Sequence, residues 1–291
     1  MGPDLHEVQV PGSEWRAVDF SARVSAPRQR YPAGSPTGRE IEAYRSELDA
    51  SLRRSGVDRA LVFGMTPELR NLALESGASL VSVDRCEAAV TAYADWVPTG
   101  ASERIVRAEW TSVDAQDLGV FGAVLGDGVF PNLLSVGLQR DLLRRVQGLL
   151  APGARAIFRQ PLLPEDEALQ TMSLEKLVGA CRRHEMGRSA FGLTARLWGF
   201  ASKPGVLEDG LLDNALVFEL VDKGFARGEI REAEYRAIQC FSYLGKNLFL
   251  GEAEWRSLAG SVGFSCRRRE LSGELWYHYF PFCVLESLDA G

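Results

Sequence analysis

Ala60-Leu61-Val62-Phe63-Gly64-Met65-Thr66-Pro67-Glu68-Leu69-Arg70-Asn71-Leu72-Ala73 is the stretch that decides the fold. An uninterrupted apolar run ends at Gly64, and helix-forming residues follow almost at once. Near-continuous apolar runs of this length read as strands buried on both faces. Thr66 suits an N-cap, Pro67 the first helical position, and Glu68 the positive end of a helix. Gly64 lacks a Cβ, so the backbone there can approach a ligand closely. The segment therefore reads as the first strand–turn–helix of an α/β sheet, with its turn at the edge where such sheets bind ligands. A well-capped βα unit without a ligand is the plainer alternative.

The pattern repeats on both sides. Val57–Phe63 reads as a strand and Pro67–Ser76 as a helix. Ser79–Val83 is a strand, Glu87–Ala94 a helix, Arg104–Ala108 a strand, and Gly119–Gly126 a strand. Leu133–Leu150 is a long helix with Leu138, Leu142, Leu143, Val146 and Leu149 on one face; Ala151-Pro152-Gly153 is a turn, and Arg155–Arg159 a fifth strand. Alternating strands and helices predict right-handed βαβ units and a mostly parallel, doubly wound, Rossmann-like α/β sheet.

Upstream, Thr37 and Glu40 form a capping box for a helix carrying Ile41, Tyr44 and Leu48 at helical spacing. Residues 1–37 read as an irregular N-terminal arm with Trp15, Phe20 and Tyr31. Residues 38–160 and 252–291 form the α/β domain. Between its fifth and sixth strands, residues 161–251 show only helical patterns, for example Leu174–Arg183 and Leu211–Phe225. A helix at Ala253–Val262 then leads to strands at Ser265–Arg269 and His278–Leu285, which close one sheet edge with an antiparallel strand.

Composition narrows the function. Hydrophobic residues make up 46% and charged residues 25% of the 291, enough to build a large core. The net charge of −6 argues against a nucleic-acid partner, whose phosphates draw affinity from basic surfaces. Arg267, Arg268 and Arg269 form the sharpest basic run, read as a solvated strand edge. Five widely spaced cysteines without C-x-x-C, and three histidines with no two at ligand spacing, suggest neither a disulfide framework nor a metal site. No signal-peptide pattern opens the chain, and no run approaches the ~18 apolar residues of a membrane span. A cytoplasmic protein with no membrane partner is the expectation.

The candidate site residues sit where strands end. Positions 64–69 read Gly-Met-Thr-Pro-Glu-Leu, which lacks the three glycines that bring backbone against a pyrophosphate, so a ligand without phosphates fits better. Asp84, beside Arg85 and twenty residues after Gly64, can accept hydrogen bonds from both hydroxyls of a ribose, or serve as a helix cap. Glu109 and Trp110 after the third strand can recognise an adenine by edge and face; Trp110 can equally be core. Gly126-Asp127-Gly128 after the fourth strand permits close backbone approach. Asp127 there can bind an ammonium, orient an acceptor or take its proton, or simply make an Asp-Gly turn.

Taken together, Val62–Arg70, Ser82-Val83-Asp84, Glu109-Trp110, Leu125-Gly126-Asp127-Gly128 and Leu149-Leu150-Ala151-Pro152-Gly153 resemble the class I S-adenosylmethionine-dependent methyltransferases. They look most like a bacterial subset with G-x-T-P-E-L as its first motif. The resemblance covers roughly residues 35–160. It implies S-adenosylmethionine held by Gly64, Thr66 and Glu68, with Asp84 at the ribose and Glu109 and Trp110 around the adenine; Met65, Pro67, Arg85, Gly126 and Asp127 complete the expected cofactor site. The subset usually has Gly-Asp-Trp where this chain has Ala108-Glu109-Trp110.

Methyl transfer from a sulfonium is an in-line displacement that needs alignment and exclusion of water more than a fixed catalytic motif. Residues 161–251 are the expected lid over a small-molecule acceptor. Their aromatics, among them Phe191, Trp198, Phe200, Phe218, Phe225, Tyr235, Phe241 and Tyr243, serve as core, as a homodimer face or as a substrate cage. His184 and Tyr243 join Asp127 as candidate bases, with packed or surface roles as the alternative. Arg159 is a candidate for an anionic group of acceptor or cofactor, or an edge charge. Three functions follow from the sequence: methylation of a small molecule, plausibly a secondary metabolite; a non-catalytic cofactor-binding scaffold; and a nicotinamide oxidoreductase, which the missing glycines disfavour.

Overall fold

The computed structural model describes residues 34–98 and 101–288. Most of the expected N-terminal arm, with Trp15, Phe20 and Tyr31, lies outside the described residues. The capping box forms as expected. Thr37 N–H donates to Glu40 (2.7 Å) and Glu40 N–H to the Thr37 hydroxyl (3.4 Å), opening helix α1 (Gly38–Ser55).

The α/β alternation then runs β1 (Arg59–Phe63), α2 (Pro67–Glu75), β2 (Ser79–Val83), α3 (Glu87–Tyr93), β3 (Glu103–Val106), α4 (Ala115–Leu118), β4 (Phe121–Asp127), α5 (Val136–Leu149) and β5 (Leu150–Arg159). These five strands pair in parallel in the order β3-β2-β1-β4-β5. The order reverses between β1 and β4, which makes the carboxyl ends of those strands the place for a ligand crevice. The side-chain period of two sends Ala60 and Val62 to the face covered by α1 and α2, and Leu61 and Phe63 to the face covered by α5. Both faces are buried, so the strands read as continuous apolar runs.

Ala151-Pro152-Gly153 is not a separate turn. It lies inside β5 as an irregularity in the ladder with β4, with Gly153 at φ +76°. The chain continues through α6 (Asp166–Thr171), α7 (Leu174–Arg182), α8 (Arg188–Trp198), β6 (Leu207–Glu208), β7 (Leu211–Asp213), α9 (Asn214–Ala226), α10 (Glu232–Gln239) and β8 (Lys246–Leu248). The expectation of helices alone in 161–251 is therefore corrected: β6, β7 and β8 form a small antiparallel sheet. Leu211-Leu212-Asp213 pairs as a strand because Asp213 caps α9, its side chain accepting from Leu216 N–H (3.1 Å), so the helix cannot start earlier.

Helix α11 (Glu252–Gly260), β9 (Phe264–Arg269) and β10 (Phe282–Ser287) complete the main sheet. β10 lies antiparallel between β5 and β9, which gives seven strands. The arginines of β9 are paired: Arg267 and Arg269 with Glu47, and Arg268 with Glu252 and Glu270. Their charge is locally neutralised, as a solvated edge requires. Apolar residues between Met172 and Phe249 build a second core with Trp276, Tyr277, Tyr279 and Phe280. Among the described residues, no helix is long and apolar enough to cross a membrane.

Candidate functional site

At the carboxyl ends of β1, β2, β3 and β4 the chain opens a cavity of about 680 Å³, within the range of small-molecule sites. One half is the sheet edge and the other is the wall of α8 and the segment around β8.

Gly64 closes β1. Its N–H donates to Val83 O (2.8 Å) and its φ is +92°. Among the described residues, no atom beyond its chain neighbours lies within 4 Å of where a Cβ would stand. The glycine is therefore required by conformation, and its missing side chain leaves space beside the cavity. Met65, Thr66 and Pro67 line the cavity as well. Thr66 occupies the N-cap position of α2 but makes no side-chain cap bond, so that expectation is corrected.

Glu68 does not line the cavity. It is 4% exposed, and among the described residues neither carboxylate oxygen has a hydrogen-bond partner of good geometry. Burial raises its pKa to about 7, with nearby Ser35 opposing the shift. Arg70, two residues on, is fully buried. It grips Glu103 of β3 through two 2.7 Å bonds and donates to Tyr93 O (2.6 Å), fixing α2 against β3 and α3.

Asp84 stands at the end of β2, lining the cavity. One oxygen accepts from Cys86 N–H at 2.8 Å. Among the described residues no other group donates to it. Burial raises its pKa to about 6, against the Cys86 bond and Arg85. Arg85 and the exposed Glu109 pair across the β2 and β3 ends at 2.8 Å. Trp110 packs on the core edge-on to Phe63, with its indole N–H fixed on Val83 O (2.9 Å), and it also lines the cavity.

Gly126 is buried inside β4 and is not among the residues that line the cavity; a Cβ there would stand 2.7 Å from Phe158 and from Val129, so packing requires a glycine. Asp127 does face the cavity, but Arg159 at the end of β5 takes both its oxygens (2.7 and 2.8 Å). Arg159 also donates to Glu40 (3.0 Å) and to Gly34 O, and lies over the Phe280 ring. Tyr44 ties the same strand ends, donating to Gly126 O (2.7 Å) and accepting from Arg159 N–H (2.8 Å). Burial pushes the Asp127 carboxyl up and Arg159 pulls it down. Asp127 therefore enters the site as half of an ion pair rather than as an open base, and Arg159 is an internal clamp rather than an edge charge.

His184 is exposed at φ +60° after α7 and is not part of the cavity lining. Tyr243 does line the cavity, packed with Met65, Ala89 and Tyr93. Most of the other aromatics of the segment are core: Phe191, Trp198, Phe200 and Phe218 are all buried in the second cluster, while Phe241 and Phe249 reach the cavity. Phe225 stacks on Tyr235 away from it (4.4 Å). Sequence reading missed Arg196, Asn247 and Asn132, which bring polar atoms to the second half. Their separation along the chain left no local signal. Among the described residues, no group of three or more His, Cys, Asp or Glu side chains could hold a metal ion.

No family model matches the chain, and no curated protein does. Solved structures do match. A Rhodobacter sphaeroides protein assigned as a Zn-dependent alcohol dehydrogenase is 16% identical, over 88% of this chain and 91% of its own, with a TM-score of 0.55. The CcbJ methyltransferase of Streptomyces caelestis is 14% identical over 92% and 97%, at 0.51. CalS10, an amino pentose methyltransferase of Micromonospora echinaspora involved in calicheamicin biosynthesis, is 14% identical over 87% and 92%, at 0.50. At these identities the likeness is one of fold. The mostly parallel seven-stranded sheet with flanking helices is the Rossmann-like α/β fold found in S-adenosylmethionine-dependent methyltransferases.

Proposed function

We propose that this chain is an S-adenosylmethionine-dependent methyltransferase acting on a small-molecule acceptor. The observation that carries the reading is the convergence of four strand ends on one cavity: Gly64 after β1, Asp84 after β2, Glu109 and Trp110 after β3, and Asp127 at the end of β4. Fold alone would not do so, because function lies in the site.

The residues fit the cofactor. The open space over Gly64 admits a ligand against the backbone. Asp84 keeps one oxygen without a described donor, suited to ribose hydroxyls. Trp110, held by its own N–H, offers a fixed ring beside Glu109 for an adenine. Met65 and Thr66 would run along the amino-acid end. A dinucleotide fits less well, since the single glycine of this loop gives no cradle for a pyrophosphate.

When bound, the cofactor supplies an already activated methyl group on a sulfonium. The chain has then to align the acceptor and keep water out. Leu193, Leu197, Phe241 and Phe249 form an apolar wall that does the second. The Arg159–Asp127 pair fixes the β4 and β5 ends on which the acceptor would rest. Tyr243, in the cavity wall, stays the candidate for contact with the acceptor's proton. An acceptor from secondary metabolism suits an apolar second half, and the paired arginines of β9 offer little to nucleic acid.

Calorimetric titration with S-adenosylhomocysteine, with NAD in parallel, tests the proposal. Micromolar binding of the first alone supports it. Binding of NAD alone would transfer the chain to the oxidoreductases. Cofactor binding with no turnover across a broad acceptor screen would favour the scaffold reading.

A further inference from the structure

The cavity wall opposite the sheet edge is held together by amides whose hydrogen-bonding capacity is spent within the chain. Asn247 of β8 donates to Asn132 Oδ1 (3.2 Å) and Pro131 O (3.4 Å), and its own oxygen accepts from Asn214 (3.0 Å) and Arg196 (2.9 Å). Asn132, in the turn after β4, donates to Gly128 O (2.8 Å) and Val129 O (3.4 Å). A side-chain amide has two donors and an oxygen with two lone pairs, so Asn247 has used its full capacity. These amides tie the β4 turn, β8, α8 and α9 into one frame and have little left to give a ligand.

The surface that this frame carries is apolar. Leu193 and Leu197 of α8 and Phe241 line the cavity and are buried. The lining runs on through Leu133 to Leu134 and Leu138 at the start of α5. Gln139 fastens that start to β8, its NH₂ donating to Leu133 O (3.3 Å) and Leu248 O (3.2 Å). Wall and lip are therefore one continuous surface. The lip lies open: Leu134 is 44% exposed, Val136 41% and Leu138 42%. Single exposed leucines are ordinary, whereas apolar side chains grouped at the edge of a cavity mark a ligand-binding surface.

Resting on the methyltransferase reading, we propose that the acceptor is a lipophilic molecule longer than the cavity, whose alkyl extension leaves across Leu134 and Leu138. Its reacting end lies beside the end of β4, and its apolar body lies against Leu193, Leu197 and Phe241. Recognition then rests on apolar area removed from water, and selectivity follows chain length.

The test titrates alkyl para-hydroxybenzoate esters, from methyl to octyl, into the full chain saturated with S-adenosylhomocysteine. Affinity should rise about threefold per added methylene through the middle of the series. In the double variant Leu134→Gln with Leu138→Gln, the octyl-to-methyl affinity ratio should fall about tenfold. In Leu134→Met with Leu138→Met the ratio should stay within about twofold, since the apolar volume is kept. Leu288→Gln, at an exposed leucine outside the cavity lining, should leave it unchanged. A flat series, a ratio that survives the double glutamine variant, or an equal fall in Leu288→Gln overturns the assignment. So does displacement of S-adenosylhomocysteine by the long esters, since the lip would then belong to the cofactor's end. A thermal midpoint several degrees lower in the ligand-free double glutamine variant also overturns it. The lip would then be covered by the chain's own residues or by a second copy. If the unaltered protein fails to bind S-adenosylhomocysteine at all, the methyltransferase reading falls. The same series without it still decides whether the lip takes an alkyl chain.

Discussion

Arg159 at the end of β5 closes a two-pronged ion pair on Asp127 at the end of β4, Nε to Oδ1 at 2.7 Å and Nη2 to Oδ2 at 2.8 Å. A third arm reaches Glu40 of α1 at 3.0 Å. One cation thus serves two carboxylates in a place almost without solvent. Removing it strands both. Arg159→Met should lower stability by about 3–5 kcal/mol in urea unfolding. A loss under about 1 kcal/mol would mean that the cluster is wetter or looser than described.

Asp84 should set the pH dependence of cofactor binding. Its folded pKa is raised to about 6 by burial, so it is charged only above that pH. A carboxylate accepts from ribose hydroxyls far better than a protonated acid does. Affinity for S-adenosylhomocysteine should therefore rise between pH 5 and 7 and level off above. Asp84→Asn should weaken binding at pH 8 by about 1.5–3 kcal/mol and flatten the profile. A profile unchanged by the substitution would remove Asp84 from the site.

Glu68 should cost stability at high pH. Its folded pKa, about 7, lies above the ordinary carboxylate value, so between about pH 4.5 and 7 the native state binds the extra proton. Stability from this group is then full at low pH and is lost as pH rises through 7. Glu68→Gln should stabilise the ligand-free protein by up to about 3 kcal/mol at pH 8 and change little near pH 4.5. Destabilisation at pH 8 would mean that the carboxylate has a partner in solution.

The two glycines predicted for the cofactor should part company. Gly64→Ala forces a side chain into φ +92° at the cavity edge, at a cost of about 1–3 kcal/mol, and should weaken S-adenosylhomocysteine binding. Gly126→Ala drives a methyl into Phe158 and Val129 and should cost about 1–3 kcal/mol of stability, with affinity of the folded fraction preserved. Calorimetry beside thermal unfolding separates them. Equal losses of affinity would restore Gly126 to the site.

His184, exposed and outside the cavity lining, should be dispensable. Once an acceptor is known, His184→Ala should retain kcat within about twofold. A loss of tenfold or more would require a closed state that brings α7 to the cavity.

The sheet was legible because its signals are local. An apolar run bounded by Gly64, a capping box at Thr37 and Glu40, and a β-period burial on both faces are each written within a few residues. The strand ends on which Gly64, Asp84, Trp110 and Asp127 stand follow from that pattern, since parallel strands all present their carboxyl ends on one side. Strands of two or three residues, such as β6, β7 and β8, leave no period to read, so they were hidden within helical patterns.

Partnership was another matter. That Asp127 is clamped by Arg159 32 residues away, that Gly126 makes room for Phe158, and that Arg196 rests on Asn247 51 residues on were decided only by tertiary packing. Whether a buried carboxylate acts as a base, an ion-pair half or a ligand contact depends on which charges the fold brings within a few ångströms and how much water it removes. Sequence spacing specifies neither, whereas the covalent geometry of strand, turn and helix is set by the residues themselves.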